Sequence, residues 1–402
     1  MNLSIQICSP LIPSEHALQK SSLPDKAVQL TIAAAKLAGR MAPETKQTLV
    51  RHMAVINSYY SNLIEGNRTL PHEIRAAQEG EFSTDPAKRD LQLESLAHIQ
   101  VQQWIEQHIS DLDTLYRPEC IQAIHEKFYL AVPESLHELK DQTGEVVDRV
   151  IPGQWRIRDV SVGRHIAPDA QTIPELMQSY CEIYHPKNYQ GDRKLISIMC
   201  AHHRFAWIHP FADGNGRVMR LLTDTALKLI GLESEGVWCL SRGLARDSVK
   251  YKAMLAKADS PRAGDLDGRG QLSQAALISF CEFMLDTAMD QVMYISELLD
   301  LEGMQDRITR YIQARNDSRI VGLGAIKEIA ALIIYNAYVQ GKLRRTTALE
   351  LCGMPERSAR RLLAQLKEEG LLSETSSRSD LSWEIPEHAE PWYFPQLTPS
   401  FD

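Results

Sequence analysis

Two helical patterns, over 195–208 and 218–230, are joined by His209-Pro210-Phe211-Ala212-Asp213-Gly214-Asn215-Gly216-Arg217. No other segment limits the fold as much. Gly214 and Gly216 open backbone angles that residues with a Cβ avoid, which lets successive N–H groups converge on an anion. The apolar run Val218, Leu221, Leu222 and Leu229 predicts a helix over 218–230. The loop therefore feeds a helix N-terminus, where free N–H groups and the dipole favour phosphate. Arg217 and Arg220 lie three apart on one helix face and suit phosphate oxygens. Asp213 is a hard oxygen ligand of the kind Mg2+ takes. His209 is the side chain of the loop that titrates near neutral pH. Phe211, apolar beside a turn, reads as a core anchor. These parts make a site for nucleotide phosphates with a base alongside.

Bulk properties narrow the setting. A chain of 402 residues suggests two or three domains. With 44% hydrophobic and 24% charged residues it falls in the ordinary globular class. No apolar run reaches membrane-span length and Met1 to Pro13 lacks a signal-peptide pattern, so a cytoplasmic protein with no membrane partner is expected. The cysteines are scattered and odd in number, without Cys-x-x-Cys, which predicts neither a disulfide framework nor a zinc site. His202 and His209, seven apart, lack the further ligands zinc needs. A net charge of -8 opposes wholesale nucleic-acid binding while allowing a local basic patch.

Residues 1 to about 25 read as an extended lead-in. Helices are expected over 25–38, 43–63, 87–109, 118–130, 173–184, 195–208, 248–258 and 273–299. In the second of these, Leu49, Met53, Ile56, Tyr60 and Leu63 form a buried stripe, and Asn57, Ser58, Ser61 and Asn62 make the opposite face polar. Gly66 is placed to end it. The segment 143–168 breaks the helical habit: Gly153 to Gly163 alternates between two glycines and predicts a hairpin. From about residue 303 a separate unit is expected. A helix over 326–338 precedes a short helix at 347–351, a turn at Gly353, a longer helix at 356–369 and two short strands at 371–375 and 381–385. That grammar is a winged helix-turn-helix.

The loop with its flanks resembles the Fic domain signature, His-x-Phe-x-Asp/Glu-Gly-Asn-Gly-Arg-x-x-Arg, and His209 to Arg220 fills every specified position. The lead-in His202-His203-Arg204-Phe205-Ala206-Trp207-Ile208 is similar too. This resemblance implies a mainly α fold: a Fic-type helical bundle with a β-hairpin flap, here followed by the winged helix. The division it suggests is an N-terminal helical region at 1–94, a catalytic domain at 95–302 and the winged helix at 303–402. It implies transfer of AMP from ATP to a Tyr, Thr or Ser hydroxyl of a target protein. His209 would then be the base, Asp213 the Mg2+ ligand, and Gly214, Asn215, Gly216, Arg217 and Arg220 the nucleotide contacts. Tyr251 matches a family position near the base, with a core tyrosine as the other reading. Val160 and Val162 fall on the flap that would align an extended target segment. Ser61-Asn62-Leu63-Ile64-Glu65-Gly66 resembles the family's inhibitory motif, in which Glu65 would pair with Arg220, and truncating or neutralising Glu65 would release activity.

Two alternatives follow. The same site would serve removal of AMP, or transfer of another phosphate-linked group. The winged helix would instead be the working end of a DNA-binding regulator whose Fic domain only senses nucleotide. From Lys342 to Arg378 eight basic residues (342, 344, 345, 357, 360, 361, 367, 378) face five acidic ones (350, 356, 368, 369, 374), which leaves DNA binding and protein docking both open. Self-modification and a homodimer are compatible with the resemblance.

Overall fold

The computed structural model of the chain describes residues 4–140, 143–232, 236–376 and 379–397. These are mainly helical, with short strands confined to three small sheets. Helices Ile173–Tyr184 and Ser248–Ala258 fall where the apolar spacing predicts. Pro43–Ile64, Pro86–His108, Pro118–Ala131, Arg193–Ile208 and Gln274–Leu298 match to within two residues at either end. Their starts have chemical causes. The Asp85 carboxylate accepts the Ala87 amide just ahead of Pro86, and Asp247 accepts the Lys250 amide.

Some expectations fail. The lead-in is not extended: Ser4–Cys8 is a 3₁₀ turn and Glu15–Gln19 a short helix. Helices Pro71–Gln78, Leu112–Leu115, Leu240–Arg246 and Leu301–Asn316 have no counterpart in the sequence reading. The first three are too short to show a repeating apolar stripe. The hairpin over 153–163 is also displaced. Strand β1 (Glu138–Lys140) pairs antiparallel with β2 (Val146–Arg149), and β3 (Ser161–Val162) with β4 (His165–Ile166). Between them, 153–160 forms no strand because its polar groups serve other partners. The Arg156 amide donates to Pro210, and its guanidinium to the carbonyls of His209, Arg158 and Pro168.

The chain forms two compact units, each discontinuous in sequence: 1–34, 57–233 and 239–291 make the first, and 35–56, 234–238 and 292–402 the second. In the first, Phe205, Phe211, Met177, Ile196, Met199 and Phe280 are fully buried. The polar face at the end of helix 43–64 does not meet solvent. Asn57, Ser58, Ser61 and Asn62 are all buried, with Asn57 donating to Gln102 and Ser58 to the Ser95 carbonyl on helix 86–108. Their burial is compensated in part: each side chain has a hydrogen-bond partner, while the Asn57 and Asn62 side-chain oxygens have none among the described residues.

In the second unit, β5 (Lys342–Leu343), β6 (Leu372–Ser373) and β7 (Leu381–Trp383) form an antiparallel sheet in the order β5-β7-β6. Helices Ile329–Gln340, Arg345–Leu351 and Glu356–Glu368 accompany it, with Leu362, Leu366, Leu381 and Trp383 buried. In the loop expected to form a wing, Ser377 and Arg378 lie outside the described residues.

Candidate active site

Helix 193–208 ends at His209, whose φ of 50° and ψ of 62° are left-handed, an unusual state for a residue with a Cβ. The Arg156 guanidinium holds the His209 carbonyl at 2.8 Å. Phe211 turns inward and stacks on His125 with ring centroids 3.9 Å apart. Asn215 then clasps the loop: its side-chain oxygen accepts the Phe211 amide at 2.9 Å and its NH2 donates to the Phe211 carbonyl at 2.8 Å. Gly214 follows with a φ of 77°, and a Cβ there would stand 2.8 Å from Tyr129 Cε2. Both backbone and space demand glycine.

Helix Asn215–Leu229 begins three residues earlier than the apolar pattern predicts. Its N-cap is Gly214, and no side chain caps its first amides. The usual Ser, Thr or Asp cap is missing where an anion site needs open N–H groups. Asn215, expected among nucleotide contacts, offers its backbone amide to that end, while its side chain is spent on the loop.

Both arginines of this helix are buried and engaged. Arg220 Nε donates to Ser61 Oγ at 2.9 Å, and Nη2 to the Ser61 carbonyl at 3.0 Å and Glu65 Oε1 at 2.7 Å. The Glu65 carboxylate lies against the first helical turn: a Cβ on Gly216 would fall 2.2 Å from Glu65 Oε1. The expected Glu65–Arg220 pair is thus present, with Ser61 in the same cluster. Burial alone would raise the Glu65 pKa, but the charges of Arg220 and Arg217 and the Arg220 hydrogen bond hold it below the usual carboxylate range. Arg217 pairs with Glu94, lies 3.5 Å from Asp213 Oδ2, and has its guanidinium carbon 4.7 Å from the Phe128 ring centroid.

Asp213 accepts from the Tyr129 hydroxyl at 2.7 Å, and its side chain is about half exposed. Burial pushes its pKa up, while Arg217, Tyr129 and the Gly214 amide bring it below the usual value. A charged, partly open carboxylate fits a Mg2+ that takes most of its ligands from phosphate and water. Among the described residues no cluster of three or more His, Cys, Asp or Glu side chains is placed to hold a metal by itself. Burial lowers the His209 pKa to about 4, so its ring is neutral and able to accept a proton at pH 7.

The other expected residues lie apart from this cluster or behind it. Tyr251 is buried, with its hydroxyl 2.8 Å from His202 Nε2; His202 Nδ1 in turn meets Thr223 Oγ1 at 2.7 Å. Val162 is half exposed on β3 and Val160 precedes that strand, accepting the Ala167 amide through its carbonyl. His165 Nε2, on β4, is 2.7 Å from the Trp207 carbonyl, so this hairpin is tied to the end of helix 193–208. Tyr129, Glu94, Arg156 and Asn67 were missed by sequence reasoning. Each meets its partner across a long stretch of chain, and no local pattern marks them.

Residues 114–227 match the Fic/DOC family. This stretch is a Fic domain. It contains the whole of 209–220, while Glu65 and Glu94 precede it and Tyr251 follows. Protein adenylyltransferase Fic of Drosophila mojavensis is 30% identical over 181 residues, 43% of this chain and 31% of that protein. Its Drosophila willistoni counterpart is 37% identical over 93 residues, 21% and 17% of the respective chains. The matches thus span less than a third of either relative. Among solved structures, a Fic family protein from Desulfovibrio desulfuricans G20 superposes with a TM-score of 0.50 at 21% identity, covering 89% of this chain and 95% of that one. A Fic domain containing signaling protein from Bacteroides thetaiotaomicron VPI-5482 gives 0.52 at 17%, covering 68% and 96%. At such identities the likeness is one of fold, and it places the Fic domain in a shared helical architecture.

Proposed function

We propose that the protein transfers AMP from ATP to a Tyr, Thr or Ser hydroxyl of a target protein and is restrained by its own Glu65. The observation that carries this reading is the Glu65 carboxylate, seated on Arg220 and on the uncapped turn at Gly216 where a phosphate would bind. The names of the Drosophila relatives support AMP transfer as the reaction class.

In this mechanism the amides of Asn215 and Gly216 and the helix dipole receive phosphate oxygens, and Arg217 and Arg220 neutralise further charge. Neutral His209 accepts the proton of the target hydroxyl as its oxygen bonds to the α-phosphorus and the bond to pyrophosphate breaks. Asp213 would hold Mg2+, which supplies charge neutralisation across the phosphates. Val160 and Val162 border the edge along which a target segment would lie, and β3 is short and exposed there. Tyr251 is a buried support: its hydroxyl meets His202, and burial pushes its pKa up while the Arg220 charge and hydrogen bond bring it down.

A second reading at this site has its own observation. The Glu65 side chain remains about one-third exposed while paired with Arg220, and a carboxylate so placed would orient water against an AMP–protein bond. The regulator reading has less support. We read the second unit's helices and sheet as a winged helix. Of the basic residues counted there, Lys342, Arg345, Arg360 and Lys367 sit in ion pairs with Glu44, Glu374, Glu356 and Glu374. Phosphate binding would have to displace those partners, so protein docking suits this unit better than duplex DNA.

Incubation with labelled ATP and a lysate tests the proposal. Label should appear on protein, vanish with His209→Ala and rise with Glu65→Gly. A mass addition other than AMP on the labelled protein would overturn it.

A further inference from the structure

Glu65 is held by more than its own contact with Arg220. It stands at the start of a turn that leaves helix 43–64, with Gly66 at a φ of 99°. The Glu65 and Asn67 amides share the Asn62 carbonyl at 3.0 Å, the Gly66 amide donates to the Leu63 carbonyl at 3.0 Å, and Lys252 Nζ donates to the Ile64 carbonyl at 3.2 Å. The Asn67 side chain, in a residue 4% exposed, ties this turn to a second helix and uses both ends of its amide. The side-chain oxygen accepts from the Thr69 amide at 2.9 Å and its hydroxyl at 2.7 Å, which shapes the downstream bend. The NH2 donates to the Leu91 carbonyl at 2.9 Å and Glu94 Oε2 at 2.7 Å on helix 86–108. The other Glu94 oxygen is committed to Arg217. Glu94 is therefore a stiff anchor, held by a buried guanidinium on one side and open to one donor on the other.

We propose that Asn67, through Glu94, is a positioning residue for Glu65: the tie to helix 86–108 fixes the turn so that the carboxylate stays over the Gly216 turn. This rests on the inhibitory reading of Glu65 given above. It adds that inhibition needs a second contact, two residues beyond the first. Breaking the Asn67–Glu94 bond leaves Glu65 chemically intact but frees it to leave Arg220.

Asn67→Asp isolates this tie. It keeps an acceptor for Thr69 but turns a donor into a charge facing Glu94, and like charges at that distance repel. Asn67→Ala serves as the second variant should the aspartate disturb folding. Two measurements on the full chain are decisive: amide hydrogen exchange at 65–67, and the initial rate of label transfer from ATP. Both variants should exchange faster at those amides. Transfer should rise about tenfold or more, the scale of one charge-assisted hydrogen bond. In a Glu65→Gly background Asn67→Asp should give no further gain, a result that general loosening would not produce. Unchanged exchange in both variants, or a gain that persists without Glu65, would overturn the proposal. If exchange quickens while Glu65→Gly itself brings no rise in transfer, Asn67 keeps its positioning role and the inhibitory reading falls instead.

Discussion

Placing a methyl group at Gly216 tests the seat of Glu65 directly. An alanine Cβ there would lie 2.2 Å from Glu65 Oε1 and 3.0 Å from Arg220 Nη1. The helix backbone is already in place, so the far end of the Glu65 side chain has to move. Its loss removes the 2.7 Å contact with Arg220. A charge-assisted hydrogen bond is worth about 1.5–3 kcal/mol. Because Glu65 is about one-third exposed, screening brings the figure to roughly 1–1.5 kcal/mol. Arg220 keeps both Ser61 oxygens and is not stranded. Against this, alanine gains up to about 1 kcal/mol over glycine in a helix, less near its end. Gly216→Ala should thus be near neutral, or destabilising by about 1 kcal/mol, in the native chain. In a Glu65→Gly background it should stabilise by roughly 0.5 kcal/mol. The coupling across the double-mutant cycle is then about 0.5–1.5 kcal/mol, measured by urea unfolding of the four proteins. A coupling under about 0.3 kcal/mol would show that Glu65 does not occupy this turn. The activity arm differs in sign from simple release: the methyl fills the anion position too. Adding Gly216→Ala to Glu65→Gly should therefore reduce label transfer by at least about tenfold.

Other outcomes follow from the same cluster and from the second unit. With its pKa lowered to about 4, His209 is fully in its base form well below neutrality, so kcat/KM of the Glu65→Gly enzyme should hold down to about pH 5 and fall below it; an acid limb near 6.5 would reject the assignment. The same shift means that this histidine costs stability as pH falls from its unfolded value near 6.5 towards 4, because the unfolded chain takes up the proton first. Tyr129→Phe removes a hydroxyl 2.7 Å from Asp213 Oδ2, and the Mg2+ needed for half-maximal transfer should rise about tenfold, the lower end for a residue that orients a metal ligand; an unchanged Mg2+ titration counts against Asp213 as that ligand. In the second unit, Arg315 is fully buried and bidentate to Glu369 at 2.5 and 2.6 Å. Arg315→Ala should cost about 3–5 kcal/mol, seen by calorimetry as a lowered unfolding transition for that unit.

The loop chemistry was legible because it is local. Glycines, a carboxylate, a histidine and two arginines within twelve positions can be judged together, and the helix that follows shows its apolar stripe. The pairing of Glu65 with Arg220 was reached only through the resemblance, since a lone glutamate at a helix end resembles any solvated one. What stayed hidden were residues whose meaning lies in their partners. Asn57, Ser58, Ser61 and Asn62 have the composition of a wet face, yet they are buried, with Asn57 and Ser58 bonded to helix 86–108, Ser61 to Arg220 and Asn62 to Ser58. The 153–163 segment alternates as a strand would, but Arg156 diverts it by donating to His209 and Pro168. Alternation records which residues can pair, not whether another segment claims their polar groups first.

The discontinuity of the two units bears on genetic dissection. Helix 43–64 is covalently one element, yet its residues 43–56 belong to the second unit and its last turns to the first. Thr45 and Thr48 are embedded there, donating to the carbonyls of Tyr338 at 2.6 Å and Trp383 at 3.2 Å. Deleting the N-terminal 66 residues to strip away Glu65 would therefore also excise 35–56 from the body that holds β7. Any phenotype of such a shortened gene is the product of two lesions. Alleles that alter Glu65 or Asn67 one at a time keep them apart.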